Sequence, residues 1–101
     1  LSAASNDGES NALIEQTKAA GVNMEHLLIS QRYKTGKYIA ILDSSGEMAM
    51  AVSDMDILQE LCPEYLQAKL DIIRQSDYVV CDTNLSIESL RFITAACSTY
   101  N

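Results

Sequence analysis

The 101-residue sequence has no tryptophan, one proline and four glycines, so few of its residues interrupt helices or strands. With 48% hydrophobic and 21% charged residues, the composition excludes disordered, collagen-like and coiled-coil chains. Basic residues are scarce, seven against fourteen acidic ones, and the formal charge is −7. The resulting electrostatic field repels a nucleic-acid backbone and an anionic membrane surface, so we expect neither as a partner.

The sequence has three cysteines, and their spacing is not that of a metal site or a disulfide framework. Cys62, Cys81 and Cys97 form an odd set without CxxC spacing, which argues against a disulfide framework and a structural zinc site. Each lies in an apolar stretch, where cysteine behaves as a small buried hydrophobe. No apolar run approaches the ~20 residues of a membrane-spanning helix. We therefore expect a reduced, cytoplasmic environment.

The sequence lacks the short motifs that are typical of common enzyme classes. It contains no Walker A loop and no GxGxxG, HExxH or GxSxG pattern. His26 has no serine or cysteine partner in its sequence context and reads as a connector residue. Asp54 and Asp56 could form a carboxylate pair for metal or acid–base work, but capping of the helix that follows explains them better.

The first half of the chain predicts a helix and two kinds of strand. Leu1–Ala4 could be the tail of a strand, and Asn11–Ala20 is helical by propensity, ending at Gly21. Leu27–Ile29 is a short β-type run. Two longer apolar runs, Tyr38–Leu42 and Met48–Val52, flank a polar loop that contains glycine, which predicts a hairpin.

This hairpin is apolar on both faces. A hairpin with one solvated face alternates apolar and polar residues, so something else must cover its second face. A partner chain, another part of the same protein or a bound ligand could do so.

The second half predicts helices around one buried strand. Asp54 and Asp56 precede a short helix through Leu61, and Pro63 opens another that runs to Ser76. Ser86 is an N-cap for the last helix. The inner faces are expected at apolar positions with helical spacing: Leu66, Leu70 and Ile73, then Ile87, Leu90, Ile93 and Cys97.

Between these helices, Tyr78–Cys81 is a continuous apolar run, typical of a strand buried in a parallel sheet. Asp82 and Asn84 follow it, at the carboxyl end where open α/β sheets bind ligands. Loop groups held there can hydrogen-bond substrate hydroxyls, although Asn84 could equally serve only the turn. One parallel strand is not a sheet, so we expect the chain to be a central part of a longer α/β protein.

Several short motifs occur in an order that resembles the ribokinase-like (PfkB) carbohydrate kinases, and within them the pseudouridine kinase branch. They run through nearly the whole chain: Asn6-Asp7, Gly21-Val22, Thr35-Gly36, Gly46-Glu47, Ser53–Leu58, Leu61–Glu64 and Cys81–Leu85. The resemblance implies a doubly wound α/β fold with a β-hairpin lid. It implies transfer of the ATP γ-phosphate to a sugar hydroxyl, with ATP and Mg as cofactors.

Applied to this sequence, the resemblance divides the chain into a lid hairpin at about 27–53 and an α/β portion at 1–26 and 54–101. Asn84, Asp82, Tyr38 and Ala40 are the implied substrate-binding residues. One lid face is expected to cover the substrate and the other to pack on a second subunit in a homodimer. The catalytic base, the ATP site and a Gly-Gly-Asn substrate motif are expected outside these 101 residues, so no catalytic residue is expected within them.

One departure from the family pattern lies at the first helix. The family usually has glycines flanking the Asn6-Asp7 motif, whereas this chain has Ser5 and Ser10 there.

Two other functions compete with the kinase. The chain could be a non-catalytic interaction module that dimerises through the apolar hairpin. A flavodoxin-like domain is disfavoured, because the hairpin interrupts the alternation of strands and helices. Among kinase substrates, ribose, fructose, a nucleoside and pseudouridine all stay open.

Overall fold

We describe a computed structural model for residues 1–100, with side chains for residues 1–99. The chain divides into two compact units, a first unit Leu1–Ile57 and a second unit that begins at Leu58. The strands and helices of the first unit are β1 (Ala3–Ser5), α1 (Gly8–Ala19), β2 (Leu28–Ser30), β3 (Lys37–Leu42) and β4 (Met48–Asp54). A 3-10 helix follows at Asp56–Glu60, and the second unit has α2 (Pro63–Ala68), α3 (Leu70–Gln75) and α4 (Ile87–Tyr100).

The first unit begins with a parallel strand–helix–strand arrangement. β1 pairs with β2 in parallel, with Ala3 opposite Leu28, and α1 connects them. Asp7 caps α1, since its Oδ1 accepts from the Ser10 backbone N–H at 2.8 Å. The helix therefore begins at Gly8, three residues before the predicted start. This arrangement confirms the α/β fold class.

The predicted hairpin is confirmed as the antiparallel pair β3–β4. Its turn is organised by Asp43, whose Oδ1 accepts from the backbone N–H groups of Ser45 at 2.8 Å and Glu47 at 3.0 Å. Gly46 has φ +81°, which an L side chain rarely adopts. A register irregularity falls between Ile41 and Leu42.

Both faces of the hairpin are apolar and exposed within the described residues. Its large apolar side chains are between 51% and 60% exposed: Tyr38, Ile39, Ile41, Leu42, Met48, Met50 and Val52. A contiguous apolar surface of this kind marks an interaction site in most proteins. As the sequence predicts, neither apolar face of the hairpin is covered by the described residues.

The second unit is built on three helices. Leu66 of α2, Ile73 of α3 and Ile93 of α4 form its buried core, onto which partly buried side chains pack: Tyr65, Leu85, Phe92, Ala96 and Cys97. The single helix predicted after Pro63 is divided at Lys69, whose ψ of 12° departs from helical geometry.

Within the described residues, no helix is both long enough and apolar enough to cross a bilayer.

Two sequence predictions are wrong at one segment: the buried strand at Tyr78–Cys81 and the burial of Cys81. Tyr78–Cys81 is not a strand: Tyr78 is 90% and Val80 95% exposed, and Cys81 is exposed as well. A buried strand needs neighbouring strands for its backbone N–H and C=O groups, and the two sheets among residues 1–100 contain only β1 with β2 and β3 with β4.

The inner face of α4 also differs from the prediction at its first residue. Ile87 is 63% exposed, whereas Ile93 is 7% exposed. Six residues at about 100° each place Ile87 roughly 120° around the helix from Ile93. The face that packs on the core is instead formed by Phe92, Ile93, Ala96 and Cys97.

Truncation of these two isoleucines should therefore have unequal effects. We expect Ile93→Ala to lower the free energy of unfolding by about 2–5 kcal/mol, because it leaves a cavity in the core. Ile87→Ala, the matched control on the same helix, should change it by about 0.5 kcal/mol or less. Urea unfolding followed by circular dichroism measures both. Equal losses would contradict the observed orientation of α4.

Candidate functional site

Tyr38 and Ala40 lie on one face of β3. They are two residues apart, and successive side chains in a strand point to opposite faces; their partners across the hairpin are Ser53 and Ala51. The Tyr38 hydroxyl donates to the Met48 sulfur at 3.2 Å, so the ring extends along the hairpin towards Met48. A large aromatic ring beside the small Ala40 offers an exposed apolar platform with a polar tip.

Asp82 and Asn84 form a turn of their own in the second unit. The Asp82 Oδ1 accepts from the Asn84 backbone N–H at 2.7 Å and from its side-chain Nδ2 at 2.5 Å. Both side chains are exposed. The turn role expected for Asn84 is thus present, and the same bonds hold its carboxamide in one place. A second carboxylate oxygen and an amide oxygen there are groups that can accept hydrogen bonds from sugar hydroxyls.

The four predicted site residues fall in two pairs. Tyr38 and Ala40 belong to the first unit, and Asp82 and Asn84 to the second. Each pair is brought together within its own unit. Asp54 lies two residues before the start of the 3-10 helix, and its Oδ1 accepts from the backbone N–H of Asp56 at 3.3 Å.

A polar cluster that the sequence does not predict lies at the base of the hairpin. The hydroxyl groups of Ser5, Ser10 and Thr35, which we call the hydroxyl cluster, lie within 2.5–3.0 Å of one another. Ser5 and Ser10 are buried, at 4% and 1% exposure. The Ser5 hydroxyl donates to Asp7 Oδ2 at 2.6 Å. Its only sign in the sequence is that serines stand at positions 5 and 10, where the family resemblance leads to an expectation of glycine.

Hydrogen bonds lower the pKa of the Asp7 carboxyl group to about 2, from 3.8. The main cause is the Ser5 hydroxyl, followed by the backbone N–H and the hydroxyl of Ser10. Lys34 lies farther away, with its Nζ 3.9 Å from Oδ2. Beside this site, the Lys37 ammonium lies 2.7 Å from Glu9, and this hydrogen bond raises the pKa of Lys37.

The described residues do not form a magnesium site. Among residues 1–99, no three His, Cys, Asp or Glu side chains lie together in a way that could hold a metal ion. A cleft in the second unit, lined in part by Arg74, Asp77 and Tyr78, has a volume of about 250 Å³. That is below the ~300–1,000 Å³ of most ligand pockets. We assign no phosphoryl-transfer step to these residues.

The low pKa of Asp7 predicts a pH-dependent stability. The carboxylate stabilises the folded state fully above about pH 3.8, and this contribution is lost as the pH falls towards 2, where the folded state also binds the proton. Asp7→Asn keeps an N-cap but removes the charge. We expect the variant to be less stable than the parent at neutral pH, with the difference shrinking between pH 4 and pH 2.

Chemical denaturation at a series of pH values measures this difference. Asp7→Ala is the control: it also lacks the cap, so it should stay less stable than the parent even at pH 2. A pH-independent deficit for Asp7→Asn would contradict the role of the charge.

Known proteins similar to this chain are sugar and nucleoside kinases, although no protein-family model matches the sequence. The chain is 36% identical over 93 residues to the pseudouridine kinase of Escherichia coli (strain K12), covering 92% of this chain and 30% of that protein. It is 30% identical over 93 residues to the uncharacterized sugar kinase YeiI of the same organism, covering 92% and 26%. A guanosine-inosine kinase of Exiguobacterium acetylicum is 22% identical over 97 residues, covering 96% and 32%.

Solved structures share the fold. The crystal structure of Sa239 matches with a TM-score of 0.85 at 17% identity, covering 97% of this chain and 32% of that one. A carbohydrate kinase from Agrobacterium tumefaciens matches with a TM-score of 0.73 at 24% identity, covering 97% and 32%. The chain thus spans about a third or less of the length of its relatives. Along nearly all of its own length, the chain is similar to a segment of these kinases, in agreement with the resemblance of its motifs to the ribokinase-like (PfkB) carbohydrate kinases.

Proposed function

We propose that the protein containing this chain is an ATP-dependent kinase that phosphorylates a hydroxyl group of a nucleoside or sugar, with pseudouridine as the first candidate. The observation that carries this proposal is the 36% identity to a pseudouridine kinase across 92% of the chain. That alignment spans most of both units, so it does not rest on one motif. Guanosine-inosine kinase, a second relative named for nucleosides, favours a nucleoside over a simple sugar.

In this proposal the hairpin is the lid and the loop after Tyr78–Cys81 is a substrate loop. The lid occupies about 27–53, and the α/β portion comprises 1–26 and 54–101. Tyr38 and Ala40 contact the base or sugar through the apolar platform. Asp82 and Asn84 accept hydrogen bonds from sugar hydroxyls, and the bonds between them limit the entropy lost on binding.

The phosphate donor and the catalytic base are assigned to other parts of the protein. ATP, when bound with Mg, supplies the transferred phosphoryl group and neutralises its charge. The residues of this chain would bind and orient the acceptor and exclude water. We also propose a cytoplasmic location, which rests on the cysteine pattern alone.

The kinase proposal is tested with the full-length protein, purified and assayed for ATP-dependent phosphorylation of pseudouridine, guanosine, inosine, ribose and fructose. Turnover with pseudouridine is the expected result, and turnover with none of the five would overturn the proposal. Loss of the Asn84 hydrogen bonds by Asn84→Ala should lower kcat/KM by about tenfold to a hundredfold.

The matched control is Asn23→Ala. Asn23 is also exposed and also forms a local turn, with its Oδ1 accepting from the backbone N–H of Glu25 at 2.8 Å. Asn23 has no role in the proposed site. We therefore expect kcat/KM of Asn23→Ala to stay within about twofold of the parent value, whereas a tenfold loss would correspond to about 1.4 kcal/mol. Equal losses in the two variants would remove Asn84 from the substrate site.

The exposed apolar hairpin supports a second candidate, a non-catalytic module that dimerises through it. The same surface supports a homodimer of the kinase, with the face that contains Ile39, Ile41, Met50 and Val52 packed on a second copy and the Tyr38 face turned to substrate. A dimer without turnover on any of the five substrates favours the module. A dimer with turnover favours the kinase.

A charge on the partner face should therefore separate the subunits. We expect Ile41→Glu to shift the full-length protein from dimer to monomer in sedimentation velocity, because an unpaired carboxylate in an apolar interface is costly. Leu13→Glu is the control, since Leu13 on α1 is 50% exposed and Ile41 is 51% exposed. If Ile41→Glu leaves the sedimentation coefficient unchanged, the hairpin does not mediate dimerisation.

A further inference from the structure

The hydroxyl cluster lies where the hairpin leaves the rest of the first unit. Thr35 is two residues before β3, and both its backbone and its side chain are bound. Its backbone N–H donates to Ser5 Oγ at 3.0 Å, and its Oγ1 accepts from the Ser5 backbone N–H at 2.8 Å. The Ser10 and Thr35 hydroxyls lie 2.5 Å apart. One residue is thus tied to the end of β1 and the start of α1 together.

The cluster has a defined direction because one of its members is an anion. A carboxylate cannot donate, so the Ser5 proton points to Asp7 Oδ2. The Ser5 oxygen already accepts from the Thr35 backbone N–H, so it can accept from only one of its two hydroxyl neighbours. The protons of Ser10 and Thr35 thus fill two of the three contacts between hydroxyl groups. Removing the Thr35 hydroxyl leaves the Ser5 backbone N–H without its acceptor, and removing the Ser5 hydroxyl does the same to the Thr35 backbone N–H. The Ser10 hydroxyl contacts both of the other hydroxyls and completes the cluster.

The two ends of the hairpin meet beside this cluster. A Cβ on Gly36 would lie 2.8 Å from the Met55 sulfur and 3.5 Å from the Asp54 carbonyl oxygen. The absence of a side chain at Gly36 therefore allows the segment before β3 and the segment after β4 to pack closely. Hydrogen bonds thus hold Thr35, and the segment after β4 packs against Gly36.

Little else in the described residues orients the hairpin. The large apolar side chains of both strands are more than half exposed, so they do not pack it against the rest of the first unit. The Lys37–Glu9 pair lies at the surface, with side chains 58% and 79% exposed, and exposed ion pairs hold geometry weakly. The direction of the hairpin depends mainly on its base.

We propose that Ser5, Ser10 and Thr35 are positioning residues that set the orientation of the hairpin and thereby the affinity for the acceptor substrate. The second part rests on the proposed kinase function. None of the three hydroxyls touches substrate in this proposal.

The orientation is tested in the full-length protein by electron–electron distance measurements. Nitroxide labels go on cysteines introduced by S45C at the hairpin turn and N23C after α1, with the exposed Cys81 changed by C81S and any other exposed cysteine removed. We expect a narrow distance distribution in the parent, a clearly broadened one for Thr35→Val and Ser10→Ala, and a narrow one for Thr35→Ser, which restores a hydroxyl.

Ser89→Ala is the matched control. Ser89 is as buried as Ser10, at 1% exposure, and its hydroxyl donates to the Leu61 carbonyl oxygen at 2.7 Å within the second unit. It should lower thermal stability without broadening the distribution. Distributions as narrow in Ser10→Ala and Thr35→Val as in the parent would overturn the proposal. Ser10→Ala keeps the test valid should Thr35→Val fail to fold.

Kinetics test the link to substrate. For the two hydroxyl-deleting variants we expect the KM for pseudouridine to rise about fivefold to a hundredfold, while the KM for ATP stays unchanged. A broadened distribution with an unchanged KM for pseudouridine would overturn the positioning role. If the parent phosphorylates none of the five acceptors, the proposed function fails, and the distance distributions still decide whether the hydroxyl cluster orients the hairpin.

Discussion

The first unit depends on the carboxylate of Asp7. One oxygen accepts from the Ser10 backbone N–H and caps α1, and the other accepts from the Ser5 hydroxyl at the end of β1. A negative charge at a helix N-terminus is favoured by the free N–H groups and the helix dipole. The same charge orients the hydroxyl cluster, because it fixes which way the Ser5 proton points. Strand, helix and hairpin base are therefore ordered around one anion, and the low pKa of Asp7 reflects the hydrogen bonds that do so.

The two units are stabilised by different interactions. In the second unit, Leu66, Ile73 and Ile93 form an apolar core, and burial of this kind is non-directional. In the first unit the buried residues are small or polar: Ala3, Ala4, Ser5, Ser10 and Ser30, with Ile57 at its end. Hydrogen bonds depend on angle as well as distance. A polar base therefore constrains the direction of the hairpin more closely than an apolar contact of the same size, and it tolerates the loss of a partner less well.

The parts of the fold that the sequence predicted are those with local causes. The hairpin follows from two apolar runs around Gly46, and the last helix from the Ser86 cap. The start of α1 was misplaced because the cap, Asp7, lies upstream of the apolar positions that mark the helix. Tyr78–Cys81 was predicted as a strand from composition, but strand formation needs neighbours that no local pattern supplies. The hydroxyl cluster joins residues up to 30 positions apart. Because serine and threonine follow no periodic pattern in the sequence, the cluster is seen only in the folded structure.

The register of the β3–β4 pair decides which side chains lie on the proposed substrate face of the hairpin and which on the proposed dimer face. Tyr38 and Ala40 share one face and Ile39 and Ile41 the other, and a slip of one residue would exchange the faces. A strand with apolar residues on both sides cannot correct such a slip by burying the right face. The register must therefore be fixed at the ends of the hairpin. Asp43 and Gly46 fix it at the turn, and Thr35 fixes the chain at the base. In the proposed kinase, the residues that define which face meets the substrate thus include polar residues that never touch it.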